Sequence, residues 1–307
     1  MKRNAIIRII IWSIVIVILL AIMVAFIAYD LLSTNRFTGS SWAETQPVSS
    51  QGAITTELIQ YADASQIQEI EIEWVAGSIT LQPGDVESIE FVETDLYDSN
   101  ELMVWKQSGN TLSIQFCKDS ISFSGFSING NISKDLVITV PRDWICRSLE
   151  IDAAAANVDV TDLTIHKVEF DGASGTCDFT NCNIDSLDMD TASGDVTIDG
   201  TLDTLDFDGA SAGIYATLTN IPSRIDIDTM SGDLELTLPE NAGFTVSMDA
   251  MSSDFDSDFE VTLRNGNYVC GDGRCRIFVN AMSGDVYIRQ WDVPDSEAVT
   301  TPSEIQP

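Results

Sequence analysis

The stretch TASGDVTIDG, residues 191–200, turns a corner at Ser193-Gly194-Asp195 and then alternates apolar and polar residues. A functional loop usually occurs once in a domain, whereas this corner recurs about every 19 residues, as the repeats of an array do. A small residue occupies the central corner position at Gly77, Ala156, Gly175, Gly194, Ala212, Gly232, Ser253 and Gly284. The stretch is therefore one repeat of a long array, which we call a rung.

Apolar residues alternate on both sides of each corner, as Leu187 and Met189 do before Gly194 and as Val196 and Ile198 do after it. This period of two predicts about two short strands per rung. Strands of successive rungs can stack and bury a core that no single rung could bury. We predict an all-β fold, a parallel β-solenoid of the β-roll or β-helix type. A β-sandwich is the alternative, because short strands with regular turns also describe it.

The chain is strongly acidic, with 15 Lys and Arg against 48 Asp and Glu and a formal net charge of −33. Nucleic-acid binding requires a basic face, so the composition argues against it.

One segment, residues 9–29, is apolar throughout and would reach roughly 31 Å as a helix, enough to cross a bilayer. Lys2, Arg3 and Arg8 precede it and Asp30 follows, so the positive-inside rule leaves the N-terminus in the cytoplasm. The sequence predicts a single-pass anchor in the cell membrane, with the bulk of the chain extracytoplasmic. A cleaved signal peptide is the alternative.

The predicted organisation follows from these patterns. Its segments are a cytoplasmic N-terminus (1–8), a transmembrane helix (9–29), a stalk (30–66), a β-rich first part of the solenoid domain (67–147), the regular repeats (148–290) and a disordered acidic tail (291–307).

Three rungs, LDMDTASGDVTI, IDIDTMSGDLEL and VNAMSGDVYI, carry a resemblance to a known group. They resemble the bacterial putative-adhesin β-strand-repeat family, a domain of unknown function, from about Ile67 to Gln290. The resemblance implies a β-repeat fold, commonly preceded by an N-terminal anchor. It implies no catalytic residues.

Acidic residues fill the outward positions of the strands before each corner, because their apolar neighbours point inward. One predicted column holds Glu150, Glu169, Asp188, Asp206 and Asp226, and the other holds Asp152, Asp171, Asp190, Asp208, Asp228 and Asp249. Stacked carboxylates repel, so the face could simply be screened by salt. It could also bind Ca²⁺ through the second column, or dock a cationic wall polymer, a glycan or a basic protein surface.

Six cysteines lie beyond the predicted anchor, where disulfides can persist. Cys270 and Cys275 flank Gly-Asp-Gly-Arg, which suggests a turn and a local disulfide, with free or buried thiols as the alternative.

We expect a structural or adhesin-like binding role at the bacterial cell surface and no enzymatic activity. A sensor or regulatory subunit of an envelope-stress system is the alternative. A glycan-cleaving solenoid comes third, because no pair of these repetitive carboxylates stands out.

Overall fold

The computed structural model describes residues 43–44, 59–94, 102–117 and 133–291. The predicted transmembrane helix (9–29), the cytoplasmic N-terminus (1–8) and the acidic tail beyond residue 291 lie outside these ranges. Within them, no helix is long and apolar enough to cross a membrane.

Twenty strands make up the described fold, which confirms the all-β prediction. They are β1 (Ala43–Glu44), β2 (Gln60–Ala62), β3 (Glu69–Gly84), β4 (Ile89–Thr94), β5 (Val104–Ser108), β6 (Thr111–Gln115), β7 (Asp135–Pro141), β8 (Ile145–Thr161), β9 (Thr164–Ser174), β10 (Cys177–Ser193), β11 (Val196–Ser211), β12 (Ile214–Leu218), β13 (Arg224–Ser231), β14 (Leu234–Leu238), β15 (Phe244–Ser252), β16 (Phe255–Ser257), β17 (Thr262–Arg264), β18 (Asn267–Cys270), β19 (Cys275–Ser283) and β20 (Val286–Gln290).

Successive rungs pair in parallel and in register. Leu187 of β10 lies opposite Val168 of β9 and Leu205 of β11. Met189 of β10 likewise lies between Phe170 and Phe207. We call the row of segments before the corners the first sheet and the row after them the second sheet. Inward side chains of both sheets belong to one continuous core. Parallel stacking of repeats is typical of a solenoid, whereas a sandwich pairs its strands antiparallel.

The corner glycines allow the rungs to approach one another. Gly194 has φ +119°, and a Cβ at this position would lie 1.8 Å from the carbonyl oxygen of Gly175 in the rung before. The same close approach joins Gly232 to Ala212 and Gly284 to Gly232. At the positive φ of Gly194 and Gly284, only a residue without a side chain fits such a contact.

The spatial order of the last rungs differs from their order in the sequence. Strands β19 and β20, the last along the chain, lie between β13–β14 on one side and β15–β16 on the other. The hairpin of β17 and β18 covers the outer edge of β15. Gly284 therefore stacks on Gly232, and the rung that contains Ser253 forms the end of the stack.

The other end of the stack is closed by strands with mixed pairing. β3 pairs in parallel with β6 and β7, whereas β4–β7 and β2–β4 are antiparallel. β5 and β6 form an antiparallel hairpin that turns at Gly109. Because β2 pairs with β4 and Ala62 is buried, the predicted stalk (30–66) extends too far. Its last residues belong to the folded domain.

A buried ion pair lies inside this closed end. The Lys134 amine is 2.5 Å from Glu93 Oε2, and the two side chains are only 5% and 2% exposed. The amine also lies 4.1 Å from the centre of the Phe116 ring, and the Met103 amide donates to both Glu93 oxygens. The main-chain oxygen of Lys134 contacts the Gly77 corner, so this pair adjoins the first corner of the stack.

Candidate functional site

Two uninterrupted columns of carboxylates cover the outer surface of the first sheet. The pairing registers bring the acids of six successive rungs side by side in each column. We call these residues the acidic face: Glu71, Glu150, Glu169, Asp188, Asp206 and Asp226 in one column, and Glu73, Asp152, Asp171, Asp190, Asp208 and Asp228 in the other.

The structure brings together most of the predicted columns and changes them at both ends. Asp228 is followed by Asn280, which donates a 2.6 Å hydrogen bond to it, and Asp249 lies on the far side of Asn280. The inserted last rung therefore separates Asp249 from the other predicted ligands. At the opposite end, Glu71 and Glu73 extend the columns by one rung. The alternation of EIEIEW, in register with the Gly77 corner, carried that signal.

Repulsion between the stacked carboxylates is a permanent cost to this face. Neighbours in a column are about one strand spacing, 4.8 Å, apart, where like charges repel by about 0.9 kcal/mol even in water. Partial burial, reinforced by Asp171, Asp208 and Asp188, raises the pKa of Asp190 to about 6. Burial also raises the pKa of Asp171, whose carboxyl shares a hydrogen bond with Asp190. Such a bond requires one proton between the two carboxyls, so the centre of the face holds protons at mildly acidic pH.

Cations border the acidic face at its edge. Lys167 pairs with Glu169, and Arg224 pairs with Asp226 while lying 4.6 Å from the centre of the Phe278 ring. All four charged groups are partly exposed, so each pair contributes little to stability. Burial lowers the pKa of Lys106, but this amine also lies close enough to Glu71 and Glu73 for their charges to oppose that effect. Neutralising cations therefore occur along the first column and at the Glu71–Glu73 end of both columns.

The predicted calcium site lacks a preformed cage. In the part of the chain that the structure describes, no three acidic, histidine or cysteine side chains converge on one point as metal ligands do. The carboxylates of Asp152, Asp171, Asp190, Asp208 and Asp228 are arranged in a row instead. Calcium binding along this row stays a prediction.

The predicted Cys270–Cys275 disulfide is absent, and both residues are buried free thiols. Each lies opposite Phe244, Cys270 from β18 and Cys275 from β19, on opposite sides of β15. Two strand spacings, about 9.6 Å, separate their Cα atoms, whereas a disulfide requires less than about 7 Å. The turn that the sequence suggested exists, but a whole strand lies between its two ends.

A comparison with protein families accounts for the repeats. The family model described as Toastrack DUF4097 matches residues 67–289. The chain belongs to this family. No curated protein matches the sequence.

Three solved structures resemble the Toastrack domain at low sequence identity. One is described as a "putative cell adhesion protein" from Clostridium sporogenes, with 13% identity over 77% of this chain and 99% of that one, at a TM-score of 0.35. A "putative adhesin" from Bacteroides fragilis has 12% identity over 77% and 97% of the two chains, at 0.46. A "putative lipid binding protein" from Parabacteroides distasonis has 13% identity over 76% and 96%, at 0.34.

The acid of the corner motif has a structural role in this Toastrack domain. Asp195 Oδ1 accepts a 2.9 Å hydrogen bond from the Gly213 amide of the next rung. Equivalent bonds run from Thr176 to Asn157, from Asp285 to Asp233, from Asp254 to Asp285 and from Ser78 to Asp135. Each corner side chain thus satisfies an amide that the turn would leave without a strand partner. Ser193-Gly194-Asp195 is a corner that locks two rungs together.

Proposed function

We propose that this protein is a membrane-anchored, extracytoplasmic binding module of the bacterial cell surface, and that its acidic face docks a cationic partner. The partner is a basic wall polymer or the basic surface of a protein. One observation carries the proposal, the two six-membered carboxylate columns on a single sheet face.

The electrostatics favour a partner that carries many positive charges. A linear or flat polycation can follow the columns and reduce the repulsion between neighbouring rungs at several places together. Because the carboxylates are fixed by the sheet, little side-chain order has to be gained on binding. Charge complementarity of this kind mainly accelerates encounter and selects the partner, and salt weakens it.

Binding of poly-lysine by the full chain tests the role of the acidic face. We expect binding that weakens as salt is added, and a loss of most of the affinity in the variant Asp190→Asn, Asp208→Asn, Asp228→Asn. The matched control, Asp143→Asn, Glu240→Gln, Glu260→Gln, removes three exposed charges that lie away from the acidic face. Equal weakening in both variants would mean that only net charge matters and would contradict a docking face.

Calcium is tested on the same proteins by thermal unfolding. If the columns bind Ca²⁺, millimolar calcium raises the melting temperature more than sodium does at matched ionic strength. The variant Asp190→Asn, Asp208→Asn, Asp228→Asn should then melt at the same temperature in both salts. Equal effects of the two salts would leave screening as the whole explanation.

Protease treatment of intact cells tests the proposed topology. An anchored, exported chain is digested down to a small N-terminal remnant in the membrane. Release of the intact domain into the medium would instead show that residues 9–29 act as a cleaved signal peptide.

A further inference from the structure

Two tyrosines occupy one outward column of the second sheet. Tyr215 of β12 lies opposite Glu235 of β14, and Glu235 lies opposite Tyr287 of β20. The tyrosines are thus two rungs apart, about 9.6 Å at the usual strand spacing. The inserted last rung creates this arrangement, because it brings Tyr287 next to Glu235. We call Tyr215, Glu235 and Tyr287 the tyrosine face.

The two rings lean toward the same corner of the stack. A Cβ at Gly213 would lie 2.9 Å from the Tyr215 ring, so this ring rests over the glycine two residues earlier. The Tyr287 hydroxyl donates a 3.1 Å hydrogen bond to Asp285, also two residues earlier. The Tyr215 side chain remains 40% exposed. Each ring is therefore held against the residue two positions earlier, at the corner side of the second sheet, before any ligand binds.

Polar groups with an acidic balance surround the tyrosines. Asp195, Asp233 and Glu235 lie near enough to Tyr215 to add to the effect of burial and raise the pKa of its hydroxyl. The Arg289 guanidinium lies over the Tyr287 ring, 5.0 Å from its centre, and Asp256 and Asp258 pair with this cation. A ligand at this face meets the Tyr215 ring, the Tyr287 ring with its guanidinium, and an excess of carboxylates over cations.

We propose that the tyrosine face binds a linear polysaccharide that carries free amino groups and lies along the stack, across the strands. Aromatic rings attract the C–H groups of a sugar through their negative faces, and both the rings and the carboxylates attract ammonium groups. A two-rung spacing is close to that of alternate sugars in an extended β-linked chain. The inference rests on the proposed surface-binding function but uses a different sheet face.

Calorimetric titration with three short β-linked oligomers tests this assignment. The titrated protein is the full chain with Asp190→Asn, Asp208→Asn and Asp228→Asn, because an intact acidic face would itself bind a cationic oligomer. The probes are a glucosamine oligomer, its N-acetylated form and a glucose oligomer. We expect the glucosamine oligomer to bind best and the Tyr215→Ala and Tyr287→Ala variants to weaken its binding about tenfold each, since stacking contacts contribute energies of that order. Tyr61→Ala is the matched control, because Tyr61 is 56% exposed on β2 at the other end of the stack.

The double tyrosine variant separates this inference from the proposed docking function. It should still bind poly-lysine through the acidic face and should unfold at the same urea concentration as the unmodified chain. Undiminished binding of glucosamine oligomers after both tyrosines are replaced in the Asp190→Asn, Asp208→Asn, Asp228→Asn chain would overturn the site. Equal binding of all three oligomers would overturn the amino-sugar assignment, and the absence of binding at millimolar oligomer would overturn both.

Discussion

The substitution Gly194→Ala should destabilise the domain far more than the same change at another glycine with a positive φ. A Cβ at residue 194 would lie 1.8 Å from the Gly175 carbonyl oxygen, whereas an ordinary contact is at least 3.4 Å, so the two rungs must separate by about 1.6 Å. That movement breaks the corner hydrogen bonds, including the 3.0 Å bond from the Cys177 amide to the Asp195 carbonyl. Two or three lost bonds at about 1 kcal/mol each, with about 1–2 kcal/mol of backbone strain, give roughly 3–5 kcal/mol.

Gly109→Ala is the matched control, because Gly109 has φ +64° in the β5–β6 turn and a Cβ there would meet nothing within 4 Å. It should cost only the backbone strain, about 1–2 kcal/mol. Urea unfolding of the two variants, followed by tryptophan fluorescence and by circular dichroism, measures the difference. If Gly194→Ala cost no more than Gly109→Ala, the close approach of the rungs would not be what requires the corner glycine.

Three further predictions concern the carboxylates, the thiols and the buried ion pair. Asp190 has a pKa of about 6 in the folded chain, against an ordinary value of 3.8. Because the folded state holds this proton more tightly than the unfolded state, the free energy of unfolding should fall as pH rises from about 4 to 6. Urea unfolding at several pH values measures this slope, which Asp190→Asn should flatten. Burial raises the pKa of Cys146 to about 12, so this thiol should resist alkylation at pH 8 until the domain unfolds, whereas the half-buried Cys117 should react first, as peptide mass mapping would show. Lys134→Met leaves the Glu93 carboxylate buried without its ion-pair partner and should cost about 3–5 kcal/mol, and adding Glu93→Gln should restore part of that loss if charge burial is the cause.

The corner and the sheet faces could be predicted from the sequence because both are local properties. The alternation of Leu187, Asp188, Met189 and Asp190 determines which side chains face the core, and the spacing of the corners determines which rungs pair. Five of the six predicted calcium ligands therefore occupy neighbouring positions in one column. The prediction failed at Asp249, since the periodicity gives the register of a rung but not its place in the stack.

Features that depend on pairing across long sequence distances were missed. The segment between β16 and β19 interrupts the repeat in the sequence, yet in space it forms the hairpin that covers the end of the stack. The same topology separates Cys270 from Cys275, which proximity in sequence suggested as partners. The pair of Lys134 and Glu93 joins residues 41 positions apart, and neither belongs to a repeating pattern.

The insertion of the last rung has a consequence for how the chain is made. Ribosomes deliver the chain from its N-terminus, so β15 and β16 emerge while the slot beside β13 and β14 is still empty. Until β20 has emerged, a stop codon or a stalled ribosome leaves a molecule with an internal gap and two unpaired strand edges, rather than a shorter stack. Such edges invite aggregation and proteolysis. The stack of rungs is therefore complete only after the last two strands of the domain have been synthesised.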